Sequence, residues 1–419
     1  MWRNGESTGS AATVAERSPR VLVVIQNLPL RIDRRVRSEC RALIDAGYGV
    51  SVICPKEHAG EPDRHELDGV VVHSYPAPSG SRGLWSYLWE FLVCWVRTAR
   101  LSRRVAAAEG FDVLQACNPP DTYWLLGALW RLRGRPYVFD QHDLCPEVYE
   151  ARFGRRGVPF RVLLGLEALT YRVADRVVCP NPAYQAVALE RGRVPLGRTA
   201  VVMSTPDAAR MRRGAPCREL RRGRRHLVTY VGIMGPQDGV DRLLAAIDHF
   251  VHERGRTDTT FALLGFGDSL ADLRADCTRR ELDPWVTFTG RVDHDELGRW
   301  LSSADLGVTP DPPNEFNHRS TMNKTLEYMA HELATVATRL RETARCAADA
   351  AVYVPEGEPI AMAAAISDLL DDPAARERMG RIGRARIEGE LAWSHQARAY
   401  VGVFDALLGD APRRRAVRR

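Results

Sequence analysis

The feature that most constrains this chain is an alternation, run through twice, of short apolar segments rich in β-branched residues with longer stretches of helical periodicity. VLVVIQ (21–26) leads into RIDRRVRSECRALIDAGY, and VSVICP (50–55) and VVVHSYPAP (70–78) follow. Short apolar runs bounded by turn residues suit strands buried on both faces, and the helices between them suit the cover of a parallel sheet. The pattern continues through FDVLQACNPP, PYVFDQHD and DRVVCPN, then restarts at HLVTYVGIM (226–234) and runs through FALLGFGD, WVTFTGRV, ADLGVTP, LATVATR and AAVYVPEG. The expected architecture is α/β, with two Rossmann-like doubly wound parallel-sheet domains in tandem.

A chain of 419 residues exceeds one typical core, which agrees with that division. The expected segments are a disordered polar leader (1–19), a first domain (20–196), a linker region rich in Arg, Gly and Pro (197–225), a second domain (226–392), a last helix (393–410) and a basic tail (411–419). VVMSTPD (201–207), inside the linker, is a candidate further strand.

The apolar share of 45% and charged share of 27% are those of a globular protein, and no apolar run reaches the length of a membrane span. The leader lacks the apolar stretch of a secretion signal, so a cytoplasmic location is expected. Nine cysteines without a C-x-x-C pair point to reduced thiols rather than to a disulfide framework or a zinc site. The net charge of +6 is concentrated in the tail PRRRAVRR, a solubilising end or a contact for anionic lipid at the inner face of a membrane. In LWSYLWEFLVCWVRTARLSRR (84–104), Trp85, Leu88, Trp89, Leu92, Trp95 and Val96 recur at helical spacing before a basic end. This stripe reads as core, with interfacial docking as the alternative.

In open α/β sheets, ligands bind beyond the carboxyl ends of the strands. That rule selects Asn27 to Leu30, Asn118 to Asp121 and His142 to Glu147 in the first half, with Asn27, Asn118, His142, Asp143 and Glu147 as site candidates. In the second it selects Gly232 to Asp238, Gly265 to Asp268, Gly290 to Val292 and Pro310 to Glu315, with Gly232, Gly235, Pro236, Gln237, Asp238, Gly265, Gly267, Arg291 and Val292 as site candidates. It also selects the stretch NHRSTMNKTLEYMA (317–330), read as one loop running into a helix with His318, Arg319, Asn323 and Lys324 at its start and Glu327 one turn on. Cations in the first turn of a helix oppose its dipole, so their placement makes sense where an anion docks among the free N–H groups. Gly265 and Gly267 without a third glycine read more readily as a tight strand-to-helix turn than as a dinucleotide site, whereas the glycine-rich turn 232–239 opens backbone N–H groups to an oxyanion.

Together, PNEFNHRSTMNKTLEYMA, GIMGPQDGVDRLL, VTFTGRVDHDEL and FDQHDLCPEVYEARF resemble the GT4-type retaining glycosyltransferases from about Val21 to Leu408. The resemblance implies a GT-B fold, two facing Rossmann-like domains with a C-terminal helix crossing back onto the first. It implies a nucleoside-diphosphate sugar as co-substrate, no further cofactor, and a glycan, lipid-linked or small-molecule acceptor. Glu327 matches the second glutamate of the family's E-x7-E element, which grips the donor's ribose. His142 matches the histidine near the transferred sugar, with Asp143 beside it to fix its tautomer; Asn27, Asn118, Asp143 and Glu147 fall on the acceptor side. Arg319 stands where the first glutamate is expected, and Ile233 and Asp238 stand where many relatives carry an Arg and a Lys on the diphosphate. Lys324 and Arg319 are the expected replacements for that charge.

The expected chemistry is transfer with retention and without a metal ion, since no D-x-D follows a strand at a suitable place and DHD (293–295) reads as a helix start. The alternatives are a non-hydrolysing nucleotide-sugar epimerase and a catalytically weak nucleotide-sugar-binding protein. An NAD-dependent oxidoreductase would need a full glycine fingerprint, which is missing.

Overall fold

The structure is a computed structural model that describes residues 17–78 and 84–409, with side chains in the helix opening at Leu84 described from Trp89 onward. Most of the expected leader, the basic tail, and the side chains of Trp85 and Leu88 lie outside the described residues.

The first sheet contains β1 (Arg20–Val24), β2 (Gly49–Pro55), β3 (Arg64–Leu67), β4 (Val70–Tyr75), β5 (Val113–Cys117), β6 (Tyr137–Asp140), β7 (Arg176–Cys179) and β8 (Thr199–Val201) in the order β3-β4-β2-β1-β5-β6-β7-β8. All neighbours run parallel except β3, which is antiparallel to β4. The second sheet contains β9 (His226–Val231), β10 (Thr259–Leu264), β11 (Val286–Gly290), β12 (Leu306–Thr309), β13 (Ala334–Thr338) and β14 (Ala351–Val354), all parallel in the order β11-β10-β9-β12-β13-β14. The strand order reverses at β1 and at β9, which opens a crevice at the carboxyl end of each. Central strands such as β9 are buried throughout, as their unbroken apolar runs require.

Four local differences have physical causes. RHEL forms β3 at the sheet's edge, where one face meets water, so it carries no apolar run to announce it. The last strand of the first sheet is β8, and Val202 N bonds Cys179 O at 2.8 Å, so the first sheet extends beyond Leu196 into the expected linker. The stretch 317–330 is two helices rather than one, Glu315–Arg319 and Asn323–Ala330. Ser320 and Met322 between them take extended backbone, and Asn314 caps the first by accepting from Asn317 N. The apolar stripe of helix Leu84–Ala108 divides: Cys94 is buried and Trp95 half-buried against the first core, while Trp89 and Leu92 are 62% and 54% exposed.

The final helix Trp393–Leu408 crosses back to the first domain. Tyr400, Val403 and Phe404 pack with Val21, Val36 and Leu43, and Tyr48 donates to Asp405 at 2.7 Å. All nine cysteines are free, and among the described residues no helix is long and apolar enough to cross a membrane.

Candidate active site between the two domains

The loops beyond the two crevices meet across the domain interface. Arg34, first residue of the helix Arg34–Asp45, donates to Glu327 Oε1 of the second domain. Arg319 Nη1 reaches back to Glu147 Oε1 at 3.2 Å, and Asn181 Nδ2 donates to Arg319 O at 2.8 Å and to Thr321 Oγ1 at 3.1 Å.

On the second domain, three strand-end loops touch backbone to backbone. Gly232 N bonds Leu264 O, Gly265 N bonds Gly290 O and Met234 N bonds Phe266 O. A Cβ on Gly265 would stand 1.8 Å from Gly232 O, so glycine is required there for loop packing. Gly267 does the same against Met234 O, which agrees with the tight-turn reading of this pair. The turn 235–239 has a different character. Gly235 N donates to Asp238 Oδ2, and Asn317 Nδ2 braces the turn through Gln237 O and Pro312 O. Gly239 has φ +69° and passes so close to Pro310 O that no side chain fits. The helix Val240–Asp248 starts there without a side-chain cap, leaving its first N–H groups for an anion.

Helix Asn323–Ala330 also starts uncapped. Lys324 is buried, its Nζ 2.7 Å from Asp311 Oδ1 and 4.9 Å from the centre of the Tyr230 ring. Burial lowers the Lys324 pKa, but Asp311 and Asp238 outweigh it and hold the ammonium charged; burial pushes the Asp238 carboxyl up to about 6 against the pull of Lys324. Among the described residues, three buried acceptor atoms here have no hydrogen-bond partner: Glu327 Oε2, Asp311 Oδ2 and Gln237 Oε1. Buried polar atoms are nearly always bonded, so three orphans around one crevice mark where a hydroxyl-rich ligand would sit.

Other selected residues are less concentrated. Pro236 and Asn323 are exposed, Arg291 lies over the Phe266 ring, and Val292 packs on the second core. His318 Nδ1 accepts from Arg341 N, and burial followed by the Arg341 charge lowers its pKa. Arg319 is matched by Glu147 and by Glu315 of its own helix, so its charge joins an interdomain ion-pair network instead of standing beside Lys324.

On the first domain, Asn27 is exposed, and Asn118 is a buried organiser. Its Oδ1 accepts from the backbone N–H groups of His142 and Asp143, and its Nδ2 donates to Asp121 and to Asp143 O. Glu147 is bound by Arg191 as well as Arg319. The carboxylate that holds the His142 ring is Asp140, not the expected Asp143: His142 Nε2 donates to Asp140 Oδ2 at 2.6 Å. Burial alone would lower the imidazole pKa, but the Asp140 charge raises it to about 9, so the ring is an imidazolium at neutral pH. Burial raises the Asp143 pKa against the His142 charge.

Cys117, Asp140 and His142 place ligand-type atoms within 4.8 Å of one another, a possible metal grouping. Both Asp140 oxygens are already engaged, Oδ1 by Arg35 at 2.8 Å and Oδ2 by His142, and the adjacent guanidinium opposes a further cation. These residues do not fit a metal ion.

The residues that sequence reasoning passed over are Arg34, Arg35 and Asp140; Asp311 fell inside a selected stretch but was not singled out. The signal applied to Lys324, a cation in the first turn of a helix, was equally present at Arg34 and Arg35.

Comparison with known proteins finds a family model for each half of the chain. Residues 32–205 match the model of the glycosyl transferase 4-like domain, and residues 225–372 that of glycosyl transferases group 1. The chain is 32% identical to an alpha-D-kanosaminyltransferase of Streptomyces kanamyceticus over 37% of its own length and only 39% of that protein's. It is 25% identical to a D-inositol 3-phosphate glycosyltransferase of Arthrobacter sp. (strain FB24) over 89% of both. Among solved structures, Anabaena HepE in complex with UDP and glucose superposes with TM-score 0.69 at 16% identity, over 93% of this chain and 100% of that one. One family model covers the half that carries His142 and the other the half that carries Lys324 and Glu327, so the chain belongs to the group 1, GT4-type glycosyltransferases, with their GT-B fold.

Proposed function

We propose that this protein moves a sugar from a nucleoside-diphosphate sugar to a glycan, lipid-linked or small-molecule acceptor, with retention at the anomeric carbon and without a metal ion. The observation that carries the reading is Glu327: its Oε2 is buried without a hydrogen-bond partner among the described residues, on a helix with an uncapped start and a buried lysine. An ionised carboxylate in that position suits the paired hydroxyls of a ribose. The UDP and glucose in the Anabaena structure, and the glycosyl transfer named for the Streptomyces and Arthrobacter relatives, point the same way.

The diphosphate would lie against the N–H groups of the 235–240 turn, with Lys324 and Arg34 as the nearby cations. Charge grows on the departing oxygen as the bond to the sugar breaks, and donors fixed beforehand favour that state over the bound substrate. Asp140 occupies Nε2 of His142, which leaves Nδ1 as the ring's other N–H. The ring would therefore donate from Nδ1 to a sugar hydroxyl and act by positioning, not as a base. The acceptor hydroxyl would enter on the face the diphosphate leaves and pass its proton to the departing oxygen. Contact with anionic lipid belongs to the same reading, supported by exposed Trp89, Phe91 and Leu92 followed on one helix by exposed Arg100, Arg103 and Arg104. Incubation with UDP- and GDP-sugars, with and without lipid or glycan acceptors, tests it: nucleoside diphosphate must be released in step with a new glycoside of unchanged anomeric configuration. Release of diphosphate without a glycoside, or epimerisation of the sugar, would overturn it.

A further inference from the structure

Asp140, at the end of β6, is completely buried, and each of its oxygens has a distinct duty. Oδ2 accepts from His142 Nε2 at 2.6 Å and from Gln115 Nε2 at 3.3 Å. Oδ1 accepts from Arg35 Nη2 at 2.8 Å. The other arm of the same guanidinium, Nη1, donates to Val202 O at 2.7 Å and to Ser204 Oγ at 3.0 Å. Those two residues follow β8, where the chain leaves the first sheet for the second domain. Gln115 in turn accepts from the Tyr400 hydroxyl at 2.7 Å, and Tyr400 lies on the helix by which the chain returns. Next to it on the same link, Gln396 accepts from Met203 N at 2.9 Å.

We propose that Asp140 and Arg35 form a positioning pair that sets the His142 ring and ties its orientation to both passages of the chain between the domains. The proposal rests on the reading of His142 at the reacting sugar. A rearrangement at Val202–Ser204 moves Arg35, and one in the return helix moves Gln115; either is transmitted to the carboxylate that holds the imidazole. The ring is thus set where both passages hold the placement that seats Arg35 and Gln115 on Asp140. The charged and titratable groups around the ring are Asp140, Arg35, Asp33, Glu39, Asp143 and the Cys117 thiol, which also donates to Asp140 Oδ2 at 3.5 Å. Glu39, buried beside Arg35, has its pKa raised well above the ordinary value, burial outweighing the guanidinium, so Asp140 is the carboxylate that keeps its charge.

The test uses the full chain with ring-labelled histidine, the His142 signal being assigned by its loss in His142→Gln. Asp140→Asn keeps the shape and removes the charge. The His142 titration midpoint should fall from about 9 to below 6.5, because burial and the Arg35 charge then act largely unopposed, and kcat on the UDP- or GDP-sugar that wild type turns over should fall on the order of 10- to 100-fold with donor KM unchanged. Tyr400→Phe removes one hydroxyl from the return helix, and kcat should fall roughly three- to tenfold, again with KM unchanged. An unmoved His142 midpoint in folded Asp140→Asn would overturn the proposal. If that variant does not fold, an unchanged kcat in Tyr400→Phe overturns it instead. An unchanged kcat in His142→Gln would sink the reading of His142 while leaving the titration to judge the pair.

Discussion

Lys324 donates to Asp311 across 2.7 Å with the two side chains only 8% and 1% exposed, so the second domain buries an ion pair at the edge of its ligand crevice. Removing one partner of such a pair leaves the other charged and dry, which costs about 3–5 kcal/mol. Lys324→Ala should therefore lower stability in urea unfolding by about that amount. A lysine at an open helix start would instead give a slight gain on removal. Lys324→Met combined with Asp311→Leu should recover part of the loss, because the Asp311 carboxylate leaves with its cation while Asp238 keeps the Gly235 N–H.

Glu327→Gln replaces an ionised acceptor by a neutral amide and should weaken UDP or GDP binding by on the order of 2 kcal/mol. Arg34→Ala should behave differently. If the guanidinium faces the diphosphate, UDP affinity falls while uridine affinity holds. Calorimetry with the four ligand and protein combinations separates ribose from phosphate contacts, and equal losses for UDP and uridine would place Arg34 elsewhere.

The His142 pKa is raised on folding, from 6.5 to about 9. Protonation is then favoured more in the folded than in the unfolded chain, so the group stabilises the fold below pH 6.5 and ceases to do so as pH rises through about 9. The stability difference between wild type and His142→Gln should shrink across that window. A difference that grows with pH would mean that the ring is neutral when folded.

Turnover should survive excess EDTA, since the cations assigned to the leaving group are side chains. Loss of activity restored by manganese would assign that charge to a metal ion.

Trp89→Ser with Leu92→Ser should reduce co-sedimentation with phosphatidylglycerol vesicles and leave binding to neutral phosphatidylcholine vesicles low in both proteins. Arg100, Arg103 and Arg104 follow on the same helix, so the wild-type interaction should weaken as salt is raised. Equal sedimentation of wild type and variant would reduce the exposed stripe to an ordinary surface.

The central strands were legible because burial on both faces writes an unbroken apolar run into the sequence, as in β1 and β9. The edge strand β3 was not, because half of it faces water. Within the site, Glu327 and Lys324 stood out by motif and by the oddity of a cation at a helix start. Arg319 shared that oddity but sits at the end of its own short helix, and its partner Glu147 is far away in sequence. Asp140 could not be chosen over Asp143 from spacing alone. Both lie near His142 in the chain, and the difference arises because the strand ends at Asp140 and turns its carboxylate inward toward Arg35.

The charge pairs that span the cleft run in both directions: Arg34 and Arg152 reach from the first domain to Glu327 and Asp268, and Arg319 reaches back to Glu147. Arg34, Arg152 and Asp268 face water, where attraction fades over about 8 Å at physiological ionic strength. Dissolved salt therefore acts as a lever on the width of the cleft. In the proposed reaction, dilute solution would hold the halves together and delay escape of the spent nucleotide, while concentrated salt would let them part. A turnover limited by that escape would quicken on adding salt, the reverse of what charge-steered capture of an anionic donor would show.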